Sequence, residues 1–100
     1  MKIECDASLR AYMDEKGMHT IAVEVMSSQN SDFEVTELYV HLIRDRQVSY
    51  FKEKKRFRSV AWEGGVVLLP PYRLEYDETI RFTLKRFWIF RSVAQTGIRL

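Results

Sequence analysis

A chain of 100 residues has room for one hydrophobic core and not for two, so the sequence predicts a single domain over residues 1–100. Hydrophobic residues make up 46% and charged residues 30%, which excludes a disordered or low-complexity chain. The net charge of +2 indicates no partner by itself, but residues 1–50 carry five basic and nine acidic side chains, whereas residues 51–100 carry eleven and five. This asymmetry either marks a binding surface or cancels where strands from the two halves pair.

Membrane and secretory signals are missing from the sequence. No apolar run approaches the roughly 20 residues that a membrane-spanning helix needs, and the segment from Met1 to Asp6 lacks the apolar region of a signal peptide. We therefore expect a cytoplasmic protein without a membrane partner. Cys5 is the only cysteine, which excludes an intrachain disulfide and a cysteine-based zinc site.

The N-terminal segment alternates apolar and polar residues over about a dozen positions. A period of two predicts a long first strand, followed by a turn at residues 14–17 in which Gly17 takes a positive φ. A second strand with Ile21, Val23 and Val25 on one face completes a predicted hairpin. The apolar positions of the first strand are Ile3, Cys5, Ala7, Leu9, Ala11 and Met13.

The rest of the chain consists of short apolar segments separated by turn residues. A change of phase before Leu38 predicts a bulge near Thr36-Glu37 or a change of sheet. No segment repeats apolar residues at helical spacing over three turns, so seven or eight strands predict an all-β, two-sheet β-sandwich, with a small β-barrel as the alternative. The further strands are expected at 33–42, 48–51, 59–62, 66–69, 79–85 and 89–95, with loops or turns at 27–32, 44–47, 63–65, 77–78 and 96–97.

The order of these features resembles the immunoglobulin-like sandwich of small bacterial and phage proteins. The resemblance rests on spacing alone, and the Cys…Trp…Cys signature of antibody domains is missing. It implies a fold used for binding and for building assemblies, although a fold does not determine a function. The stretches that carry it are the hairpin over 9–25, the polar loop before 35–42, Leu69-Pro70-Pro71 with Leu74, the strand from Thr79, and residues 93–97.

No residue pattern indicates catalysis or a bound cofactor. His19 and His41 lie on predicted strands without metal-ligand spacing, and Cys5 lies on the apolar face of the first strand, where a buried thiol is inert. The carboxylates are spread over turns and outward faces with no pair placed for acid–base chemistry. We therefore expect a non-enzymatic protein without a cofactor or metal ion.

A basic stretch over residues 52–58 is the first candidate binding segment. It adjoins Tyr50, Phe51 and Trp62, and interleaved cations and rings suit a phosphate backbone with stacked bases. The alternative is an edge strand that its charge keeps from aggregating. The cations are Lys52, Lys54, Lys55, Arg56 and Arg58.

The apolar run Phe87-Trp88-Ile89-Phe90, flanked by Lys85, Arg86 and Arg91, is the second candidate. If the strand from Thr79 continues straight, Trp88 and Phe90 point inward, and Phe87 and Ile89 form an exposed pair with a basic rim, as at a partner or dimer interface. The alternatives are a strand buried on both faces or a loop whose rings cover the core.

These observations favour a protein–protein interaction module that binds through Phe87, Ile89, Lys85 and Arg91. It would serve as an assembly subunit, an adaptor, or a small inhibitor encoded by a phage or mobile element; a homodimer is compatible with the same surface. The alternative function is binding of a nucleic acid or another polyanion through residues 52–58.

Overall fold

Strands dominate the computed structural model, which describes residues 1–29 and 34–100. Two helices interrupt them, one near the N-terminus and one in the middle of the chain. In the described part of the chain the elements are β1 (Lys2–Cys5), α1 (Ala7–Lys16), β2 (Thr20–Gln29), β3 (Glu34–Ile43), α2 (Asp45–Glu53), β4 (Arg58–Trp62), β5 (Gly65–Leu69), β6 (Glu75–Phe87) and β7 (Phe90–Arg99).

The strands form two sheets, one with the order β1-β6-β7 and one with the order β3-β2-β5-β4. β1 pairs with β6 and β2 with β5 in parallel, and the other pairs are antiparallel. The prediction of an all-β, two-sheet architecture is confirmed, and the described strands form these two open sheets in place of the alternative barrel. Neither helix in the described residues is long and apolar enough to cross a membrane.

The first predicted strand is wrong beyond Cys5, because residues 7–16 form helix α1. The Asp6 carboxylate accepts a hydrogen bond from the Leu9 amide at 2.8 Å and begins the helix. Gly17, at φ 65°, ends it in the left-handed conformation that the sequence predicted for this residue. The predicted hairpin over 9–25 is therefore a helix followed by β2. Leu9 and Met13, one turn apart, are buried.

A second helix, α2, replaces the predicted turn at 44–47 and the predicted strand at 48–51. The Arg44 amide donates to the side-chain oxygen of Gln47 at 3.0 Å, which satisfies one of the backbone groups left open at a helix start. Phe51 is the buried anchor of the helix. The basic stretch therefore does not form an edge strand: Lys52 and Glu53 complete α2, residues 54–57 connect, and Arg58 opens β4.

Two predicted irregularities do not occur where the sequence placed them. β3 pairs with β2 without interruption from Glu34 to Ile43, so the prediction of a bulge near Thr36-Glu37 or a change of sheet is wrong in both forms. β7 continues through residues 96–97, where a turn was predicted. Gly97 has a φ of 104°, and a Cβ there would lie 2.6 Å from the Thr79 carbonyl oxygen, so no larger residue fits.

β2 extends through Gln29 into the predicted loop 27–32, of which residues 30–32 lie outside the described part of the chain, as does Phe33.

Other local predictions are confirmed. β4, the turn at residues 63–64 and β5 occupy their predicted positions. In contrast, the turn predicted at 77–78 is wrong, because β6 runs through these residues with only a shift in its pairing with β7 between Tyr76 and Arg81.

Two hydrophobic clusters lie on opposite faces of the four-stranded sheet. The main core packs side chains of both sheets against α1, and alternate residues of β2 and β5 point to the other face, where α2 covers them. Residues 20–23 of β2 and residues 67–69 of β5 are therefore buried on both faces. Leu9, Ile21, Val23 and Phe82 are buried, while Val40 is half-buried. The main core is Leu9, Met13, Ile21, Val23, Val67, Leu69, Ile80, Phe82 and Ile98; the second core is Ala22, Ile43, Phe51, Phe57 and Leu68.

Candidate functional site

The β6–β7 hairpin ends in four consecutive exposed apolar residues, here called the hairpin tip (residues 87–90). Phe87 pairs with Phe90, and Trp88 and Ile89 form the connection. Their exposed fractions are 78%, 89%, 83% and 63% in chain order, the highest among the large hydrophobic residues described. Isolated surface hydrophobic residues are common, but four adjacent ones form a patch of the kind that marks an interaction site.

The exposure of the tip differs in part from the sequence prediction. Phe87 and Ile89 are exposed as predicted for a pair on one face. Trp88 and Phe90 are also exposed, because β6 ends at Phe87 and the chain reverses there instead of continuing straight. The two alternatives, a strand buried on both faces and a loop covering the core, do not describe this segment. Trp88 and Phe90 are therefore site residues that the sequence reasoning missed.

The turn at the tip holds Trp88 in a conformation that favours glycine. Trp88 has a φ of 60°, and two-residue hairpin turns with a positive φ at their first residue usually place glycine there. A residue with a Cβ is strained in this region by about 1–2 kcal/mol. The Arg91 guanidinium donates to the carbonyl oxygens of Trp88 at 3.3 Å and Phe90 at 3.1 Å and so braces the turn. Backbone strain that tertiary contacts maintain is characteristic of functional segments.

A basic rim surrounds the base of the tip; it consists of Lys85, Arg86 and Arg91, all exposed. Arg86 lies directly opposite Arg91 in the hairpin, and like charges in this position destabilise a strand pair. Within the described residues none of these three cations forms an ion pair with a carboxylate. The rim therefore leaves three positive charges available to a partner.

The predicted polyanion site differs from the hairpin tip, because several of its side chains make contacts within the protein. The Lys55 ammonium donates to a Glu24 carboxylate oxygen at 3.0 Å and lies 4.8 Å from the centre of the Phe51 ring. The Arg58 guanidinium lies 5.4 Å from the centre of the Tyr76 ring. Lys52, Lys54 and Arg56 are exposed and have neither an ion pair nor a ring contact in the described chain.

The rings beside this stretch are largely unavailable for stacking. Phe51 and Phe57 are buried and pack edge to face, with ring centres 5.1 Å apart. Trp62 packs against the main core and covers Gly64, where a Cβ would lie 2.4 Å from the indole ring. Tyr50 alone among the adjacent rings is more than half exposed. A groove with alternating cations and stacking rings is therefore not formed.

Glu24 is the centre of a small polar network on the face of the sheet that α2 covers. It accepts hydrogen bonds from Lys55 and from the His41 ring, which stacks on Tyr39. Burial raises the pKa of the Glu24 carboxyl, but the hydrogen bonds from Lys55 and His41 outweigh that effect and hold its pKa below the usual 4.5. The network connects the end of α2 to the sheet and explains His41 as a structural residue.

The remaining candidates for chemistry show no activating environment. Burial raises the pKa of the Cys5 thiol to about 11, whereas a nucleophilic cysteine needs a lowered pKa. His19 is exposed and lies 3.8 Å from the Asp45 carboxylate. Across residues 1–29 and 34–100, no three His, Cys, Asp or Glu side chains are grouped so that they could hold a metal ion.

Comparisons with known proteins place the chain in no family. No protein-family model matches it, and no curated protein matches it. One similar solved structure is that of Escherichia coli SufA, a protein involved in the biosynthesis of iron–sulfur clusters; the match covers 96% of this chain and 80% of that chain, with 10% identity and a TM-score of 0.46. A likeness at this level carries no argument about function, and the immunoglobulin-like resemblance stays a prediction.

Proposed function

We propose that this protein is a non-enzymatic, cytoplasmic module that binds another protein through the hairpin tip and its basic rim. The observation that supports this most is Trp88, which is held at a positive φ while 89% of its surface is exposed. A residue with a Cβ at this φ is strained in the free chain, and the Trp88 ring is left almost fully exposed there. Its conformation and exposure are accounted for if the ring is buried in a partner.

Shape and composition favour a protein partner with an apolar pocket bordered by carboxylates. Tryptophan, tyrosine and arginine are the residues that most often dominate the energy of protein interfaces, as anchors in desolvated pockets. Phe87, Trp88 and Ile89 would fill such a pocket, and Lys85, Arg86 and Arg91 would face its acidic border. The settings that fit are an assembly subunit, an adaptor or a small inhibitor, and a second copy of this chain is another candidate partner.

The alternative function, binding of a nucleic acid through residues 52–58, has less support. Phe51 and Phe57 are buried, Lys55 is paired with Glu24 and Arg58 lies over the Tyr76 ring, so the segment offers three cations without such contacts in the described chain, Lys52, Lys54 and Arg56, and one exposed ring. Three phosphate contacts on duplex DNA would give a slope of roughly −3 in log affinity against log salt. The segment has no platform of rings on which bases could stack.

A binding experiment with matched variants tests the proposal. The full chain is immobilised, a protein is captured from an extract of the source cells, and the affinity of that protein is measured at low and moderate salt. We expect Trp88→Ala and Phe87→Ala each to weaken binding by about 2 kcal/mol or more, roughly 30-fold, as expected for hot-spot rings. Tyr50→Ala, which removes an exposed ring outside the tip, should change the affinity less than twofold.

Three results would contradict the proposal. The first is a captured protein whose affinity is indifferent to both tip variants. The second is duplex DNA binding that falls steeply with salt and is lost in the triple variant of Lys52, Lys54 and Arg56 to Ala. The third is tip-dependent binding of the isolated chain to vesicles of phosphatidylserine and phosphatidylcholine, which would assign the tip to a lipid surface.

A further inference from the structure

A cavity lies between an edge strand of one sheet and an edge strand of the other. It is here called the edge groove. β3 is the edge of the four-stranded sheet and β7 the edge of the three-stranded sheet. A cavity of about 240 Å³ lies between them and is lined by residues 39–42 of β3 and residues 91–93 of β7. Because consecutive residues of both strands contribute, backbone as well as side chains faces the cavity.

We propose that the edge groove binds an extended, acidic peptide segment of the protein partner, which adds as a strand to the free edge of β7. This inference deepens the proposed function and rests on it, since the groove begins where the hairpin tip ends. Addition of a strand to a sheet edge is an established recognition mode, in which main-chain hydrogen bonds supply affinity and alternate side chains supply specificity.

The outer edge of β7 is not hydrogen-bonded to another described strand over a short stretch next to the tip, where β3 approaches it across the groove. In a hairpin with a two-residue turn the closing pair, Phe87 and Phe90, exchanges hydrogen bonds, and the pairs then alternate along the strands. The amide and carbonyl groups of Arg91 and Val93 therefore point away from β6, and no described strand pairs with that edge. These groups are the donors and acceptors that an added strand requires.

The chain itself closes the same edge further along. The Gln95 side-chain oxygen accepts from the Ile98 amide at 3.0 Å, and the Gln95 side-chain nitrogen donates to the Ile98 carbonyl at 3.1 Å. A side chain that satisfies the backbone of an edge strand protects it against pairing. The open stretch is therefore confined to residues 91–94, beside the groove.

The size and lining of the groove match peptide side chains. Cofactor and drug-sized ligand pockets usually measure about 300–1,000 Å³, so 240 Å³ suits one or two side chains better than a whole cofactor. Its apolar walls include Met18, Leu42, Leu84 and Val93, all half-buried at the rim of the main core. An apolar side chain that enters between the sheets would complete their burial.

Charge selects an acidic segment over a neutral or basic one. Arg91 is the one Lys, Arg, Asp or Glu side chain that lines the groove within the described residues. Lys85 and Arg86 lie on the adjoining strand of the same hairpin. Arg86 and Arg91 share the groove face of the hairpin and Lys85 lies on the other face. Carboxylates on the outward-facing positions of an added strand would therefore meet Lys85, and a carboxylate turned toward the groove beside the tip would meet Arg91 and Arg86, whereas lysines would be repelled.

A peptide that carries these features tests the proposal with the unmodified full chain. The probe is the acetylated and amidated hexapeptide Glu-Val-Glu-Leu-Glu-Val, titrated into the 15N-labelled protein and followed by nuclear magnetic resonance. We expect a Kd below about 1 mM, with the largest shifts at the amides of Arg91 and Val93. Replacing the three glutamates by lysine should weaken binding at least tenfold.

Backbone methylation distinguishes strand addition from side-chain binding alone. Two further peptides carry N-methyl groups, one on the odd and one on the even residues. An added strand pairs through one of its two edges, so one of these peptides should bind at least tenfold more weakly and the other should retain affinity within about twofold. Equal affinity of both, loss of both, shifts confined to residues 87–90, or no binding at 1 mM would each overturn the proposal.

Variants of the protein separate this inference from the proposed function. Val93→Arg, which fills the groove, should weaken binding of the peptide and of the captured protein at least tenfold, while Thr96→Arg on the exposed face of the same strand should change neither more than twofold. If Trp88→Ala loses the captured protein and Val93→Arg retains it, the groove proposal fails and the proposed function stands. If Val93→Arg loses both and Trp88→Ala loses neither, the proposed function fails and the groove remains the binding site.

Discussion

The basic stretch (residues 52–58) and the tip with its rim (residues 85–91) are similar in composition and opposite in structure. Both combine cations with aromatic residues in or directly beside a seven-residue segment. In the first, Phe51 and Phe57 are buried and Lys55 is paired with Glu24. In the second, all the rings are exposed, and none of the three cations is paired with a carboxylate in the described chain.

The difference lies in what each segment packs against. α2 lies on a face of the four-stranded sheet, so Phe51 of this helix and Phe57 after it have apolar neighbours and are buried. The hairpin extends past the end of the sandwich, so Phe87 and Phe90 have no neighbour to cover them. Cations interleaved with rings therefore indicate a binding surface only where the fold leaves the rings uncovered.

The largest expected effect is the contrast between two phenylalanines. Phe51→Ala should lower the free energy of unfolding by about 3–5 kcal/mol, because it opens a cavity in the second core. Phe87→Ala should change it by less than about 0.5 kcal/mol, since 78% of that side chain is already exposed. Urea unfolding followed by fluorescence measures both. Similar losses in the two variants would mean that the tip packs against the body of the protein.

A smaller effect is expected from the ion pair of Lys55 with Glu24, which connects the basic stretch to β2. The folded-state pKa of Glu24 lies below its usual 4.5, so its ionised form favours the folded state. This stabilisation is present above about pH 4.5 and is lost as the pH falls through the folded-state pKa. Glu24→Gln should lower the free energy of unfolding by about 1 kcal/mol at pH 7. This value is toward the upper end for ion pairs that water partly screens, because the Glu24 side chain is 20% exposed.

Unfolding as a function of pH measures this contribution. The difference between the wild type and Glu24→Gln should shrink toward zero as the pH is lowered from 6 to 3. Glu63→Gln is the control, because Glu63 is highly exposed and lies 3.8 Å from Arg10; it should stay within about 0.5 kcal/mol of the wild type at each pH. A Glu24→Gln deficit that persists at pH 3 would contradict the electrostatic explanation.

The smallest expected effect concerns backbone strain, which is present in both segments. Arg56 and Trp88 have φ values of 61° and 60°. Arg56→Gly and Trp88→Gly should each raise the free energy of unfolding by about 0.5–1 kcal/mol, because glycine relieves the strain of 1–2 kcal/mol while adding entropy to the unfolded chain. Thermal unfolding measures the gain. Only Trp88→Gly should also lose partner binding.

Trp88→Ala is the matched control for strain, since alanine keeps the Cβ in the same backbone conformation. It should lose the partner without gaining stability. If Trp88→Gly destabilises the protein instead, the indole contributes packing to the fold, and the main support for the proposed binding site is removed.

Part of the candidate site followed from the sequence. The run from Phe87 to Phe90 and its flanking cations were recognisable as a candidate because no turn residue and no acid interrupts them. The assignment of inward and outward rings did not follow, because a straight strand and a hairpin have the same alternation up to Phe87. The positive φ of Trp88 has no signal in a sequence that lacks Gly, Asn or Asp at this turn.

The alternation of apolar and polar residues was enough to predict the strands that form the two cores. β2, β4, β5 and most of β6 lie where period-two patterns and turn residues predicted them, because burial of one face or both leaves few other arrangements for such segments. The pattern in α1 was ambiguous: Leu9 and Met13 share a face in a helix and in a strand alike. Ala7 and Ala11, the alternate positions on either side of Leu9 that the strand pattern counted as apolar, are exposed and favour a helix.

Only the tertiary structure decided where α2 packs, which cations are used within the fold, and which edge of β7 is open. These properties depend on neighbours distant in sequence, such as Glu24 for Lys55 and Tyr76 for Arg58. A sequence read on its own carries the periodicity of each segment but not the contacts between segments. The exposed hairpin tip and the edge groove are therefore consequences of assembly, because each exists only where the packing of the two sheets ends.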